Sequence, residues 1–272
     1  MTSSKPRERY TLGHHPSVLR THSWRTAENS AAYLLPHLHS GLEVLDLGSG
    51  PGTITLDFAR IVAPGTVVGI DADAGVVADA GARAAAAGVD NVSYAVGDAY
   101  ALDLPDDSVD VAHAHQLLQH VGDPVSVIRE LRRVVRPGGV VAFRDIVYGG
   151  AVWYPLSPGL TRWMEVYQEL ARSNGGEPDA GSRLKSWAME AGLTDIRSSA
   201  SVWSFETPED REWWGGAWSE RARTSSFATQ ALETGIADDA DLALISTAWR
   251  DWVDASDGWF AVPHGEIVAT VR

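Results

Sequence analysis

The chain contains no cysteine. That absence excludes disulfide staples, thiolate nucleophiles and zinc held by sulfur. It also lacks a basic excess, since 22 Lys and Arg stand against 36 Asp and Glu for a net charge of −14. No overall positive field therefore draws nucleic acid or an anionic membrane, and a polyanionic substrate is disfavoured unless a local basic pocket receives it. No apolar run approaches a transmembrane span, and the opening MTSSKPRERY is polar rather than signal-like. A cytoplasmic protein is the expectation. Internal repeats are absent, and the one biased stretch is rich in alanine. What is present, 44% hydrophobic and 21% charged residues over 272 positions, suits a soluble globular chain of one large domain or a domain with an added subdomain.

Residues 43–48, 67–71, 92–97, 109–114 and 140–147 are short, apolar and rich in β-branched side chains, and they read as strands. Helical stretches, 53–62, 74–87 and 124–135, lie between them, with Gly88, Gly122 and Pro137-Gly138-Gly139 at turns. Strands alternating with helices predict βαβ units and a parallel sheet covered on both faces. Composition then changes: eight of the 11 tryptophans fall between Trp187 and Trp259, with Trp153 and Trp163 just before them. Stretches 161–172, 182–191, 208–223 and 238–253 predict helices, while 195–203 and 259–271 predict the last strands. The division expected is 1–40 as an N-terminal cover, 41–150 as a binding core, and 151–272 as a helical lid insertion plus the last strands.

Glu43-Val44-Leu45-Asp46-Leu47-Gly48-Ser49-Gly50-Pro51-Gly52-Thr53 sets three glycines between the first strand and the first helix. Side chains there would block the approach of a ligand to the backbone, and some of these positions require positive φ. Thr53 makes the spacing GxGxG rather than the dinucleotide GxGxxG, which weakens a nicotinamide reading. Asp71, at the end of the second strand, is spaced to accept from both hydroxyls of a ribose, while Asp73 caps the next helix. Gly97-Asp98-Ala99 ends the third strand, where an Asp can accept from an adenine amino group.

These motifs, followed in order by His115-Gln116-Leu117-Leu118-Gln119-His120-Val121 and Leu131-Arg132-Arg133-Val134-Val135-Arg136-Pro137-Gly138-Gly139, resemble the class I S-adenosylmethionine-dependent methyltransferases. The likeness is to the branch of ubiquinone/menaquinone-biosynthesis methyltransferases and covers roughly residues 25–147. The resemblance implies an α/β, Rossmann-like seven-stranded sheet with its last strand antiparallel, an N-terminal helical cover and a helical lid insertion. It implies that Asp46 orients the loop and the methionine ammonium, and that Gly48, Ser49, Gly50 and Gly52 approach the methionine and ribose. Asp71 and Ala72 would hold the ribose. Gly97, Asp98 and Ala99 would address adenine, with Tyr100 as a stacking neighbour, and His115 and Gln116 would lie near the methionine half. Tyr10, His14 and Arg25 would close the site, Arg25 pairing with the cofactor carboxylate, the alternative for this segment being a surface helix with Thr21 or Ser23 as its cap.

Methyl transfer needs an in-line nucleophile and little water, so positioning carries much of the rate and a conspicuous base is not required. If the acceptor must lose a proton, His14, His15, His115 and Tyr154 are the acid/base candidates. Asp145 and His264 point into the site or satisfy the fold. Most tryptophans are expected in the core, with a minority lining an apolar acceptor pocket. Glu212, Glu220 and Arg221 read as a solvated helix face. No histidine spacing indicates a metal. The reading is a methyltransferase acting at carbon, oxygen or nitrogen of a small, largely apolar or aromatic molecule, with S-adenosylhomocysteine as co-product. A homodimer is left open. The alternatives are a cyclase or regulatory binder on the same fold, or an NAD(P)-dependent oxidoreductase. An arsenite methyltransferase of the usual cysteine-dependent form is excluded.

Overall fold

The computed structural model describes residues 9–11, 13 and 23–272. Its core is a sheet whose first strands, β1 (Val44–Leu47), β2 (Val67–Asp71), β3 (Val92–Val96), β4 (Val109–His115) and β5 (Val135–Ile146), run parallel in the order β3-β2-β1-β4-β5. The short β6 (Val152–Tyr154) follows, then β7 (Asp195–Phe205) and β8 (Trp259–Thr270). β8 lies antiparallel between β5 and β7, and β6 extends the β5 side by pairing with Trp259–Ala261. The expected seven strands with an antiparallel last one are present, and β6 makes an eighth. At three residues, between Gly149-Gly150 and Pro155, it is too short to show alternation.

Helices α1 (Ala27–Ser30) and α2 (Thr53–Val62) cover one face of the sheet, burying Ile54, Phe58 and Val62 against Val44, Val67 and Val111. On the other face lie α4 (Pro124–Val134) and α6 (Leu184–Glu190), which bury Ile128, Leu131 and Leu184 against Leu45, Ala112 and Phe143. α3 (Ala74–Ala86) joins β2 to β3 and starts where Asp73 accepts from Val76 N–H at 2.9 Å. α4 starts in the same way, with Asp123 accepting from Ser126 N–H and Pro124 in the first turn, where a missing N–H costs nothing.

The remaining helices build a lid with its own core. They are α5 (Pro158–Ser173), α7 (Pro208–Arg211), α8 (Ala217–Thr224), α9 (Ser226–Thr234) and α10 (Asp239–Asp254), and a π-helical turn, Glu212–Gly216, links α7 to α8. Trp163, Trp218 and Trp249 are fully buried at its centre, with centroids 4.9 Å apart for both Trp163–Trp218 and Trp163–Trp249. Edge-to-face rings at such spacing favour one arrangement of the helices over its alternatives. Among the described residues, no helix is long and apolar enough to cross a membrane.

Candidate functional site

The carboxyl ends of β1, β2 and β4 open onto a cleft of about 380 Å³. Its floor begins at Asp46, which is buried and held on both oxygens: Thr55 Oγ1 donates to Oδ2 at 2.6 Å, and His113 Nδ1 lies 2.8 Å from Oδ1. The chain leaves β1 through Gly48, Gly50 and Gly52, all at positive φ (71°, 52° and 77°). At Gly50 a Cβ would meet nothing within 4 Å, so the loop offers bare backbone there. Gly52 is required for a different reason. A Cβ there would stand 2.5 Å from the Tyr94 hydroxyl, and Gly52 itself does not line the cleft. Ser49 lines it with a buried hydroxyl that has no hydrogen-bond partner among the described residues.

Asp71 is fixed by two backbone donors, Gly50 N–H to Oδ2 at 2.9 Å and Asp73 N–H to Oδ1 at 3.1 Å. Each oxygen keeps a lone pair for a ligand. Ala72, Asp73 and Val76 continue the wall. Across from them stand His115, Gln116 and Leu117, at the end of β4. Burial, with Arg25 and Arg144 adding to it, holds the His115 imidazole well below its ordinary value, and neither ring nitrogen has a hydrogen-bond partner among the described residues. It is a neutral ring at the cleft wall.

Tyr10 and Arg25, the two described residues of the expected closing segment, line the cleft. The Tyr10 carbonyl accepts from Gln230 Nε2 of α9 at 3.1 Å, and its ring stands edge-on to His120 at 4.7 Å. Arg25 Nη2 donates to Gln116 Oε1 at 2.7 Å. Burial pushes the Tyr10 hydroxyl up to about 12 and the Arg25 guanidinium down to about 10.

Tyr10, Arg25, Gln116 and His120 also border a second, smaller cavity of about 30 Å³, whose other walls include Tyr148, Trp203, Trp213, Trp214 and Arg221. The lid and the sheet edge meet here. Trp203 is fixed by donating from Nε1 to the Asn29 carbonyl at 2.8 Å, and the π turn carries Trp213 and Trp214 to the wall together.

Several sequence-predicted residues stand elsewhere. Tyr154 is 55% exposed on β6 and lines neither cavity, because the strand's pairing with β8 turns its side chain to solvent. Gly97, Asp98 and Ala99 follow β3 outside the cleft walls, where Asp98 accepts from Tyr100 N–H at 2.9 Å. His14 and His15 lie outside the described residues. Asp145 is fully buried behind the site, accepting from Gln119 N–H at 3.2 Å. His264 is also buried; Gln116 Nε2 lies 2.9 Å from its Nε2, and its ring centroid stands 4.3 Å from that of Trp203 in the wall of the second cavity. Arg221 corrects the reading of a solvated face. It is 2% exposed, because Trp218 pulls that side of α8 into the lid core. His120, Tyr148 and Arg221 are the site residues that spacing alone did not single out.

A family model described as a methyltransferase domain matches residues 38–194. An uncharacterized methyltransferase of Schizosaccharomyces pombe is 33% identical over 278 residues, spanning 97% of this chain and 98% of its own. A protein of Aspergillus luteorubrus described as probable methyltransferase ltbC is 29% identical across 99% of each chain. Among solved structures, the YcgJ protein of Bacillus subtilis matches with a TM-score of 0.60 at 20% identity, covering 90% of this chain and 99% of that one, a likeness of fold.

Proposed function

The chain belongs to the class I S-adenosylmethionine-dependent methyltransferases, and from that premise we propose that it methylates a small, largely apolar or aromatic molecule bound where the second cavity, about 30 Å³ and widened on binding, adjoins the larger cleft. The observation that carries this reading is the shared wall: Tyr10, Arg25, Gln116 and His120 face both the larger cleft and a cavity framed by Trp203, Trp213 and Trp214. A donor and an acceptor can therefore meet across four residues. Indole faces give broad, stiff contact area and suit a flat ligand.

The larger cleft has the chemistry that S-adenosylmethionine requires. Asp71 presents oxygens anchored by backbone donors and suited to a diol, Gly50 leaves open space for close approach, and Asp46 places a carboxylate where an ammonium is to be matched. Arg25 suits the cofactor carboxylate. When bound, the cofactor supplies a methyl group made electrophilic by its sulfonium.

The chain's own residues bind, orient and dry the site. Tyr10 and the tryptophans exclude water, and His115 contributes a neutral ring that does not repel the sulfonium. Such a site works chiefly by holding the acceptor in line. The test is incubation with methyl-labelled S-adenosylmethionine and a panel of phenols, quinols, indoles and aromatic acids, read by mass spectrometry. Methylated product from at least one flat aromatic is expected. Methylation confined to polar peptides or nucleic acid contradicts the reading.

A further inference from the structure

We infer that His264, which lines neither cavity, is a positioning residue: through Gln116 and Trp203 it holds the Arg25 guanidinium ready for the carboxylate of S-adenosylmethionine, a role that rests on the methyltransferase reading above. Arg25 lines the larger cleft. The groups that act most on its charge are two tyrosines and two further arginines, with no carboxylate among them. A buried guanidinium in such company gains most from an anion brought in through the cleft, and the cofactor has a single anionic group to offer.

Arginine is a long side chain, and an arginine that must be ordered when its ligand arrives gives up part of the gain. Arg25 is already aimed. Its Nη2 donates to Gln116 Oε1 at 2.7 Å, and its guanidinium carbon lies 5.7 Å from the centroid of the Trp203 ring, within cation–π range. Both contacts are backed by His264. Arg25 holds the oxygen of the Gln116 amide, which leaves the amide NH₂ for His264 Nε2, 2.9 Å away. The imidazole also lies against Trp203, with ring centroids 4.3 Å apart.

The parts of this support are themselves fixed. His264 sits in β8 opposite Ile146 of β5 and Ser201 of β7, so strands on both sides set its place. The Gln116 N–H donates to the Arg144 carbonyl at 2.7 Å, at a residue held in the left-handed region. Strain of that kind is tolerated where the residue's position is used, and here it places one amide between two partners. A leucine would fill the His264 volume without taking a ring nitrogen out of water. Among the described residues the imidazole's one side-chain hydrogen bond is with Gln116, so that link is the use of its polarity.

Calorimetry on the whole chain compares S-adenosylhomocysteine with its decarboxylated analogue, a thioether that keeps the adenosine and the amine and lacks only the carboxylate. The native protein is expected to bind S-adenosylhomocysteine at least about tenfold more tightly than the analogue. His264→Leu is expected to cut that ratio about fivefold or more, while affinity for the analogue stays within about threefold. His264→Gln, which returns an acceptor to Gln116, should restore the ratio to within about twofold of native. Gln116→Asn tolerates the same backbone conformation but is too short to serve both neighbours, and it should lower the ratio as His264→Leu does. A ratio near unity in the native protein overturns the proposal. So does a ratio that His264→Leu or Gln116→Asn leaves at the native value, even where both ligands bind more weakly, since that is the mark of packing alone. A His264→Gln protein that behaves like His264→Leu overturns it as well. Should His264→Leu not fold, Gln116→Asn and the native ratio decide. Native protein that binds neither ligand strikes the methyltransferase reading itself, and this inference with it.

Discussion

Gln116 has φ +51°, a backbone conformation that residues other than glycine rarely adopt, and its amide serves two neighbours. Arg25 can only donate, so the amide oxygen faces it. The NH₂ is thereby turned to His264, whose Nε2 must accept and whose proton sits on Nδ1. One strained residue thus ties the guanidinium at the mouth of the site to a histidine beneath it. Asp71 is the simpler case, a carboxylate preset by two backbone donors. Its replacement by Ala is expected to weaken S-adenosylhomocysteine binding by about 2–4 kcal/mol, the loss of two charge-assisted bonds. Calorimetry finding unchanged affinity would contradict that role. Asp46 and Asp71 were legible in the sequence because each is set by a short distance along the chain from a glycine loop. Arg221 was not, because a polar helix such as 208–223 does not reveal which of its sides meets a partner until the partner's residues are in place. His120 escaped for a similar reason, since its importance comes from Tyr10, far away in the chain.

The glycine loop shows what one element can separate. Gly50 and Gly52 both have positive φ, yet only Gly52 is hemmed in, by Tyr94. Gly50→Ala is expected to cost about 1 kcal/mol of stability from backbone strain while weakening S-adenosylhomocysteine binding at least tenfold, because its methyl occupies ligand space. Gly52→Ala is expected to lower the melting temperature more than Gly50→Ala does, since its methyl must push Tyr94 aside. Thermal melts and calorimetry on the pair check this, and the reverse ordering in stability contradicts it. The segment bearing Tyr10 is a second such element. Its described contacts with the lid include polar ones to α9 and to the end of α5, Gln230 to Tyr10, Arg9 to Glu233 at 2.8 Å and Asn174 to Thr11 at 3.0 Å, and the Tyr10 side chain packs against the tryptophan-rich core. Cofactor bound beneath Tyr10 and Arg25 should add to this hold, so hydrogen exchange in peptides covering 9–13 and 23–26 is expected to slow when S-adenosylhomocysteine is added. Equal exchange with and without it would refute the closure. The long elements were legible from periodicity. α9 was not, because Ser226-Phe227-Ala228-Thr229-Gln230 carries two hydroxyl residues and no clear apolar stripe. β5 also begins earlier than expected, at Val135, because Pro137-Gly138-Gly139 forms an irregular extension of the strand and not a break.

For the whole molecule, the buried titratable groups set how stability follows pH. Burial holds His115 and His264 well below the ordinary imidazole value and His120 down to about 3, while it pushes the Asp145 carboxyl up to about 7. Between about pH 5 and 6.5 the unfolded chain takes up protons on these three imidazoles that the folded chain refuses. Asp145 works the other way, staying protonated when folded and ionising when unfolded. The unfolded state binds about two protons more, so stability falls on acidification by roughly 1.4 kcal/mol per pH unit for each of them. A melting temperature that stays level or rises from pH 7 to 5 would contradict this balance. Net charge was legible at this scale, but the gathering of Arg25, Arg144 and Arg221 near one site was not, because it depends on segments brought together from three parts of the chain. The strand order likewise rested on resemblance, since periodicity gives strands without neighbours. The position of β8 has a consequence for biosynthesis. A ribosome completes β5 and β7 before it reaches β8, and the helices between β7 and β8 take on the order of 3–10 s to translate at ordinary elongation rates. Throughout that interval the nascent chain exposes two open strand edges that only β8 can fill. A message truncated before codon 259 would therefore release a product whose unpaired edges recruit other chains, making it a client for chaperones and proteases rather than a smaller enzyme.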